Sequence, residues 1–574
     1  MIDASSLTLA QTTQMLQLAI ANREQLGAIS SQLSIDLARA DSEAKRDLPD
    51  WGRQSLEELR SGRIEQPHAV LRTLALIGAR IGKKEMEERE EERASSSLNL
   101  SPRRAIQELL AEKIMHKKAP KEAFMALMNN PAEGFSSFQM EDGTQVGFFP
   151  NPNELGSPWS GLIADRWAHG LGLVLFQKEA KEACGMVFLH GLGRVSWSKI
   201  RRDAWQASGG TMAFPSSKLS FAQALVRVVD KGVAMTLKWR AIDHALELSR
   251  HAHRTELGGS KGIVLHGNGE TAKADAMEAY AHVIQQLGVT LTGSDEGVTP
   301  QWATFLAERA PRNIVGNQAS IYRGREPTQL TGDGVFSAIE AVSRDFFGGS
   351  SKEPTLAQGF GGVGSRVAEL MQHSRYPMDG LVEINGDALL RSRGKKVKAA
   401  LYLDQSDNGV SALRAMYYRL RGIRMVNGLA DAVLRHPSAR ILSPNGGPHP
   451  ITFEVAEAMI LSGIRVVVGA ANNQAAFDRN GSPDSIAWIL QAAGIFHPTD
   501  FVVNRMGATA VVADAVQIPH SDLSRMANGV GESVTTEADA GYRRGIPPAI
   551  FSTRRYERDW NGILSSGRGM GGKF

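Results

Sequence analysis

Cysteine is all but missing, since Cys184 stands alone among 574 residues. A lone thiol excludes an internal disulfide and any cysteine-based metal site, and it suits a reducing compartment, so a cytoplasmic location is expected. Long apolar runs are missing too: no stretch reaches the roughly eighteen apolar residues that would cross a bilayer. The start, MIDASSLTLAQTTQM, lacks the basic-then-apolar pattern of a secretion signal. Neither charge is in surplus, because 65 basic residues face 61 acidic ones and leave a formal net charge of +4. Without a concentrated cationic stripe, neither nucleic acid nor a membrane surface is an expected partner. No metal site is expected either; His251 and His253 form an i, i+2 pair that a helix places on different faces.

What is present is glycine, and it is spread unevenly. Residues 1 to about 130 are poor in it, and TTQMLQLAIANREQLGAI and HAVLRTLALIGARIG carry apolar residues at helical spacing. The charge run KKEMEEREEERASSS, Lys83 to Ser97, reads as a solvated face ending in a serine hinge. RRAIQELLAEKIMHK resumes the helical pattern, and MEDGTQVGFF reads as a hairpin around Asp142-Gly143. Beyond about residue 150 short apolar runs alternate with helical stretches, the pattern of strand, crossover helix and parallel strand. The expected fold class is α/β. Residues 1–150 form a mostly helical region, 151–333 a substrate-binding domain, 334–525 a Rossmann dinucleotide-binding domain, and 526–574 a segment packing back on the substrate domain.

TLAQGFGGVGSRVAELMQ sets Gly359, Gly361 and Gly364 in the spacing G-x-G-x-x-G, after a short apolar run and before an amphipathic helix. The first glycine of such a turn bends the chain, the second lets backbone approach a pyrophosphate, and the third lets helix and strand pack closely. Gly362 and Val363 complete the loop, and about twenty residues on GLVEINGD offers Glu383, Asn385 and Asp387 for a ribose contact. An acid there favours NAD, while Arg391 and Arg393 leave NADP open.

A second glycine-rich stretch, TELGGSKGIVLHGNG, surrounds Lys261. It is no phosphate loop, since Ser260 precedes the lysine and Gly262 follows it. Around it stand AMTLK with Lys238, SGGTM with Ser208, Gly209 and Gly210, and TGSDEG with Gly293 and Asp295. LTGDGVF with Thr331, GAANNQ with Asn472 and Asn473, PTDFVVNRMG with Asp500 and Asn504, and RRGIPPAIFSTRRYER follow downstream.

In this order the motifs resemble those of the glutamate/leucine/phenylalanine/valine dehydrogenases, over about Ser208 to Arg555 and closest in spelling to the leucine and phenylalanine types. The resemblance implies a substrate and oligomerisation α/β domain joined to a Rossmann domain. It implies NAD(P)-dependent, reversible oxidative deamination of an L-amino acid to the 2-oxo acid and ammonia, with catalysis between the domains, in a homo-oligomer. Carried residue by residue, it makes Lys261 and Asp295 catalytic and sets Lys238 on the substrate carboxylate. Ser208, Gly209, Gly210, Gly293 and Asn504 become substrate contacts, and Thr331, Asn472 and Asn473 fall beside the nicotinamide. Such chemistry needs a base near neutral pH and a second group that moves protons between nitrogen and oxygen, which a lysine and a carboxylate supply. Ser208, where glutamate-specific relatives have lysine, speaks against glutamate, and small residues at 208 and 293 suggest a roomy pocket for a large apolar or aromatic side chain.

The chain also departs from the family. WRAIDHALELSRHAHRTE lengthens the link from Lys238 to Lys261, and NRMG and SPNGGPHP replace the usual spellings of their elements. They motivate the alternative, a catalytically altered member acting as an amino-acid- or nucleotide-sensing regulator.

Overall fold

In the computed structural model the described residues are 48–61, 65–96, the strands named below between 136 and 215, and most of 221–565. Stretches 249–257, 288–289, 316–326, 348–352, 395–396, 407–410, 477–483 and 514–517, with residues 313, 373 and 375, fall outside them. The helical patterns before residue 48 and in 101–118, and the pair His251 and His253, also lie outside the described residues. The chain divides into two compact units. One comprises Met1–Ser96, Thr331–Asn504 and Ala527–Thr553; the other Ser97–Leu330, Arg505–Met526 and Arg554–Phe574.

The N-terminal helices α1 (Asp50–Ser61) and α2 (Pro67–Ser96) belong to the first unit. Val70, Leu74, Ala75, Leu76, Ile77 and Ala79 of α2 enter one apolar core with the six-stranded sheet described below and its helices. Past them α2 continues as a single helix through the charge run, whose Lys84, Glu87 and Glu88 are exposed.

The second unit is built on an eight-stranded sheet in the order β1-β2-β3-β5-β4-β7-β6-β8. Its strands are β1 (Ser136–Gln139), β2 (Gln145–Phe149), β3 (Trp159–Asp165), β4 (Gly170–Gln177), β5 (Val187–Leu189), β6 (Ala207–Pro215), β7 (Gly258–His266) and β8 (Thr290–Ser294). β1 and β2 pair antiparallel with Gln139 opposite Gln145, the two arms of the expected hairpin. The β1–β2, β2–β3 and β3–β4 pairs are antiparallel, whereas β4, β7, β6 and β8 run parallel. Helix α3 (Phe221–Leu248) packs on β4 and β7, and α4 (Glu270–Leu287) and α5 (Pro300–Arg309) follow β7 and β8.

The lengthened link after Lys238 is for its first ten residues, Trp239 to Leu248, a continuation of α3, about 15 Å of extra helix. It is core, not a pocket rim. Trp239 and Ile242 are fully buried, and Arg240 pairs with Asp243 at 2.9 Å with both side chains sealed from solvent. One turn on, His244 accepts from Arg555 Nη2 at 3.1 Å.

The first unit holds a six-stranded parallel sheet in the order β12-β11-β10-β9-β13-β14. Here α6 (Pro327–Phe347) leads into β9 (Thr355–Gln358), α7 (Gly362–Gln372), β10 (Met378–Glu383), α8 (Gly386–Gly394) and β11 (Ala400–Asp404). Then come α9 (Ala412–Leu420), β12 (Ile423–Val426), α10 (Gly428–Leu434), β13 (Ile441–Pro444), α11 (Phe453–Ser462) and β14 (Val466–Val467). The chain builds outward from β9 to β12 and then returns to the other side of β9. This reversal makes the β9/β13 boundary the switch point, where the carboxyl ends of parallel strands leave a crevice for ligand. After β14 stand α12 (Asp484–Ala492), the four-residue α13 (Asp500–Val503), α14 (Met506–Val512), α15 (His520–Asn528), α16 (Val530–Tyr542) and α17 (Pro548–Ser565).

The α1–α2 layer lies on the α11 and α12 side of this sheet. Gly82 is the point of closest approach, since a Cβ there would lie 2.5 Å from the Phe453 ring. Arg80 meets Glu457 at 2.7 Å, with both side chains mostly buried.

His497 is buried in this unit, and neither ring nitrogen has a hydrogen-bond partner among the described residues. Burial pushes its pKa down to about 4. Between that value and the unfolded value near 6.5, the unfolded chain takes a proton that the folded one refuses, so stability falls with pH across this window. The loss approaches about 3 kcal/mol at the acid end. Thermal melts from pH 7 to 4.5 are expected to fall less steeply in His497→Leu than in the parent; parallel slopes would show that the buried imidazole is not responsible.

Candidate active site

Lys261 lies in β7, opposite Gly210 of β6, which in turn lies opposite Gly293 of β8. Residues in register share a face, so the three project to one side of the sheet. Lys261 is buried, and its Nζ donates to Asp295 Oδ2. Asp295 follows the end of β8. Its backbone N–H donates to Thr211 O at 2.9 Å, and its Oδ1 accepts from Glu296 N at 2.8 Å. One carboxylate oxygen is therefore fixed by backbone and the other faces the lysine.

Glycine at 210 is what lets the pair form across β6. A Cβ there would lie 2.9 Å from Lys261 Nζ and 2.8 Å from Asp295 Cβ. The neighbouring row uses the other face: Thr211 donates to Tyr280 Oη at 2.8 Å, and a Cβ at Gly262 would overlap that hydroxyl. Tyr280 escaped the sequence reading because nothing near it in the chain marks it; its position depends on α4 crossing behind two strands.

Lys238 is buried on α3, the helix packed along β7. Ser208 and Gly209 lie on β6 opposite Gly259 and Ser260. The sequence suggests open space at Gly293, and here the structure differs: a Cβ at that position would lie 2.5 Å from Val511 Cγ1. The glycine makes room for a protein side chain, on the same face as the Lys261–Asp295 pair. A cavity of about 390 Å³ at the carboxyl ends of β6 and β7 is bordered by His266, Lys273 and Glu296, and neither Lys261 nor Asp295 lines it.

In the other unit, the glycine-rich loop joins β9 to α7. Gly359 has φ +86° and packs against Gly446, whose N lies 2.7 Å from a would-be Cβ; Gly364 packs on the Gly359 carbonyl. Gly361 and Gly362 are exposed, and a Cβ at Gly361 would meet nothing within 4 Å. Open backbone at the N-terminus of an eleven-residue helix, closed on both sides by glycine contacts, fits a bound pyrophosphate. Val363 is half-buried, and its carbonyl faces Gly332 of α6. Arg366 of α7 meets Asp333 at 2.8 Å and so ties the two helices. Thr331 is buried four residues into α6.

Three residues compete at the end of β10 for a ribose contact, and the structure separates them. Asn385 caps α8, its Oδ1 accepting from Asp387 N and Ala388 N at 3.0 and 3.2 Å. Asp387 accepts from Tyr418 at 3.1 Å. Glu383 accepts from Phe360 N at 2.6 Å through one oxygen, and from Ile384 N and Asn385 N at 2.9 and 3.2 Å through the other. A carboxylate has about four acceptor sites, so Glu383 retains capacity for one further donor.

The divergent elements are structural. SPNGGPHP wraps the loop: Asn445 N donates to Gln358 O at 2.7 Å, and Asn445 Oδ1 accepts from Ala470 N at 3.0 Å. In NRMG, Arg505 and Met506 are both buried, so neither is an open substrate contact.

Asn473 adopts a left-handed conformation, φ 49°, and its partner is His449, φ 54°, whose N–H donates to Asn473 O at 2.9 Å. Asp500 Oδ2 accepts from Asn473 N at 2.8 Å. One helical turn later Asn504 Nδ2 donates to Ala470 O and Asn472 Oδ1 at 2.9 and 3.0 Å, while its buried Oδ1 has no partner among the described residues. The short α13 thus clamps residues 470–473 from both of its ends. Asp500 is quoted in the sequence motif without a role; the i, i+4 spacing to Asn504 is the signal that marks it.

Two substitutions probe this geometry. Gly210→Ala is expected to force Lys261 from Asp295 and to lower stability by about 1–3 kcal/mol, measured by chemical denaturation; an unchanged midpoint would contradict the close packing. Asp500→Asn is expected to weaken dinucleotide binding at least 10-fold by fluorescence titration with little change in melting, and undiminished binding would show that the clamp is not needed.

Among the described residues no cluster of histidine, cysteine or carboxylates is arranged for a metal ion, and no helix is long and apolar enough to cross a membrane. Residues 325–517 match the family described as glutamate/leucine/phenylalanine/valine dehydrogenase. A leucine dehydrogenase of Thermoactinomyces intermedius is 24% identical over 326 residues, covering 55% of this chain and 78% of that one. A phenylalanine dehydrogenase of Caldalkalibacillus thermarum strain TA2.A1 is 25% identical over 310 residues, covering 53% and 70%. The crystal structure of L-tryptophan dehydrogenase from Nostoc punctiforme covers 77% of this chain and 99% of its own at 14% identity, with a TM-score of 0.43. Residues 325–517 thus carry a domain of the glutamate/leucine/phenylalanine/valine dehydrogenase family, and over more than half of its length the chain is similar to leucine and phenylalanine dehydrogenases.

Proposed function

We propose that the protein oxidatively and reversibly deaminates an L-amino acid with an apolar side chain, large aliphatic or aromatic, to the 2-oxo acid and ammonia, with NAD as acceptor. The observation that carries this reading is buried Lys261 paired with half-buried Asp295 over Gly210. Lys238 holds the substrate carboxylate. Bound nicotinamide dinucleotide supplies the acceptor for the hydride from Cα, leaving an iminium on the substrate. Lys261 takes the proton from the water that adds to the iminium carbon. Asp295 delivers a proton to the amino nitrogen, so that ammonia rather than an amide anion departs, and the carboxylate then takes the proton that the added hydroxyl releases as it becomes the carbonyl. With Oδ1 already held by Glu296 N, Asp295 keeps Oδ2 for these transfers.

Val511 refines the substrate class. Strands lie about 4.8 Å apart, so Gly293, two strands from Lys261, is about 10 Å across the sheet, within reach of a substrate side chain. The valine over that glycine presents an apolar wall, which supports an apolar side chain and limits its bulk. On the cofactor side, Glu383 supports NAD, because a carboxylate accepts from a ribose hydroxyl and repels a 2′-phosphate. Gly359, Gly361, Gly362, Val363 and Gly364 line the pyrophosphate, and Thr331, Asn472, Asn473 and Asn504 serve the nicotinamide and substrate end.

Purified protein with NAD and a panel of L-amino acids is expected to produce NADH absorbance, strongest for aliphatic or aromatic substrates. Lys261→Ala is expected to lower kcat by 10²–10⁴-fold while dinucleotide binding, read by fluorescence titration, holds. Silence across the panel with NAD and NADP, despite measurable dinucleotide binding, would replace catalysis with a sensing role. Glu383→Ser is expected to raise KM for NAD and to admit NADP; a parent enzyme that prefers NADP would overturn the cofactor assignment.

A further inference from the structure

Strand β10 carries Glu383 at one end and Asp379 near the other, about 13 Å away along the strand. Around Asp379, on the amino-terminal edge of the sheet and away from the glycine-rich loop, opens a cavity of about 410 Å³. Lys398, Arg424 and Arg435 line it, and Asp379 is its one carboxylate. Lys398 and Arg424 are exposed and have no ion pair among the described residues; Arg435 shares its charge with Asp431 through Nε at 2.6 Å. Arg435 is the C-cap of α10, where one cation offsets the helix end. The other two stand four residues beyond their helices, outside the last turn where that effect acts.

A hydrogen-bond chain organises the floor. Arg424 Nη1 donates to Tyr402 Oη at 3.3 Å, Tyr402 Oη meets His436 Nδ1 at 3.0 Å, and His436 Nε2 meets Asp379 Oδ2 at 3.1 Å. Ser438 Oγ donates to the same oxygen at 3.1 Å. Tyr402 and His436 are buried, and burial lowers the His436 pKa against the opposing pull of Asp379. A neutral imidazole satisfies every link, accepting from tyrosine and donating to aspartate. The chain fixes Arg424, and two donors cover the Asp379 oxygen that would otherwise repel an anion.

We propose that this cavity is a second binding site, for a small phosphomonoester whose phosphate pairs with Lys398, Arg424 and Arg435. Arginine forks and a lysine are the usual partners of phosphate. The volume exceeds what phosphate alone fills and reaches the range of small-molecule pockets, so the ester's organic part is held as well.

The test is calorimetric titration of the full chain, in phosphate-free buffer, with ribose 5-phosphate and with inorganic phosphate. Saturable binding near one site per chain is expected, tighter for ribose 5-phosphate, unaffected by saturating NAD, and weakened at least 10-fold by Lys398→Ala and by Arg424→Ala. Both side chains are exposed, so the variants should fold, and Arg543→Ala serves as a surface control. Absence of saturation by 10 mM on the order expected for weak metabolite sites, competition by NAD, or equal loss in Arg543→Ala would overturn the proposal. Since binding is read directly, its failure is separable from that of the catalytic reading.

Discussion

The close approach of Lys261 and Asp295 across a glycine is the constraint on which the candidate site of the eight-stranded unit depends. A buried amine beside a carboxylate is stable only when geometry keeps them together, because removing one partner leaves the other charged and desolvated. β7 supplies the lysine, the turn after β8 supplies the aspartate, and the strand between them must present no side chain at the crossing. Gly210 meets that condition, and register then fixes Gly293 one strand further out, with Val511 above it. The Lys261–Asp295 pair and the valine over Gly293 are thus consequences of one parallel alignment.

The unit built on the six-stranded sheet solves a different problem, holding its loops still at the carboxyl ends of its strands. Its glycines close the loop on the SPNGGPHP segment, its acid at β10 is braced by backbone N–H groups, and residues 470–473 are held by the two ends of a single helical turn. Left-handed Asn473 and His449 carry local strain, and their mutual hydrogen bond with the Asp500 contact offsets it. Such strain is commonly kept where a ligand must be met in one orientation.

Much of this was legible in the sequence. Motif order, which survives where overall identity is low, singled out Lys261 and Asp295, and the fold brings them together; the glycine spacing marked β9 and α7 because the turn has one geometry. Other features needed three dimensions. Tyr280 approaches from a helix behind the sheet, Val511 arrives from more than two hundred residues downstream of the β8 it covers, and neither leaves a local pattern. Glu383, Asn385 and Asp387 were equivalent as letters; capping and the Tyr418 contact distinguished them. A small residue at 293 was read as free space, since sequence reports the volume of a side chain and not what its neighbours place there.

The α1–α2 layer changes how this chain can be dissected. The family match begins at residue 325, and a truncation at that boundary would look like a clean excision of the six-stranded half. It would instead strip a shared core, leaving Phe453, Val455 and Met459 without the helix that covers them. Fragments cut by family boundary alone would expose a greasy surface and aggregate, a failure of solubility that says nothing about whether the nucleotide fold is intact.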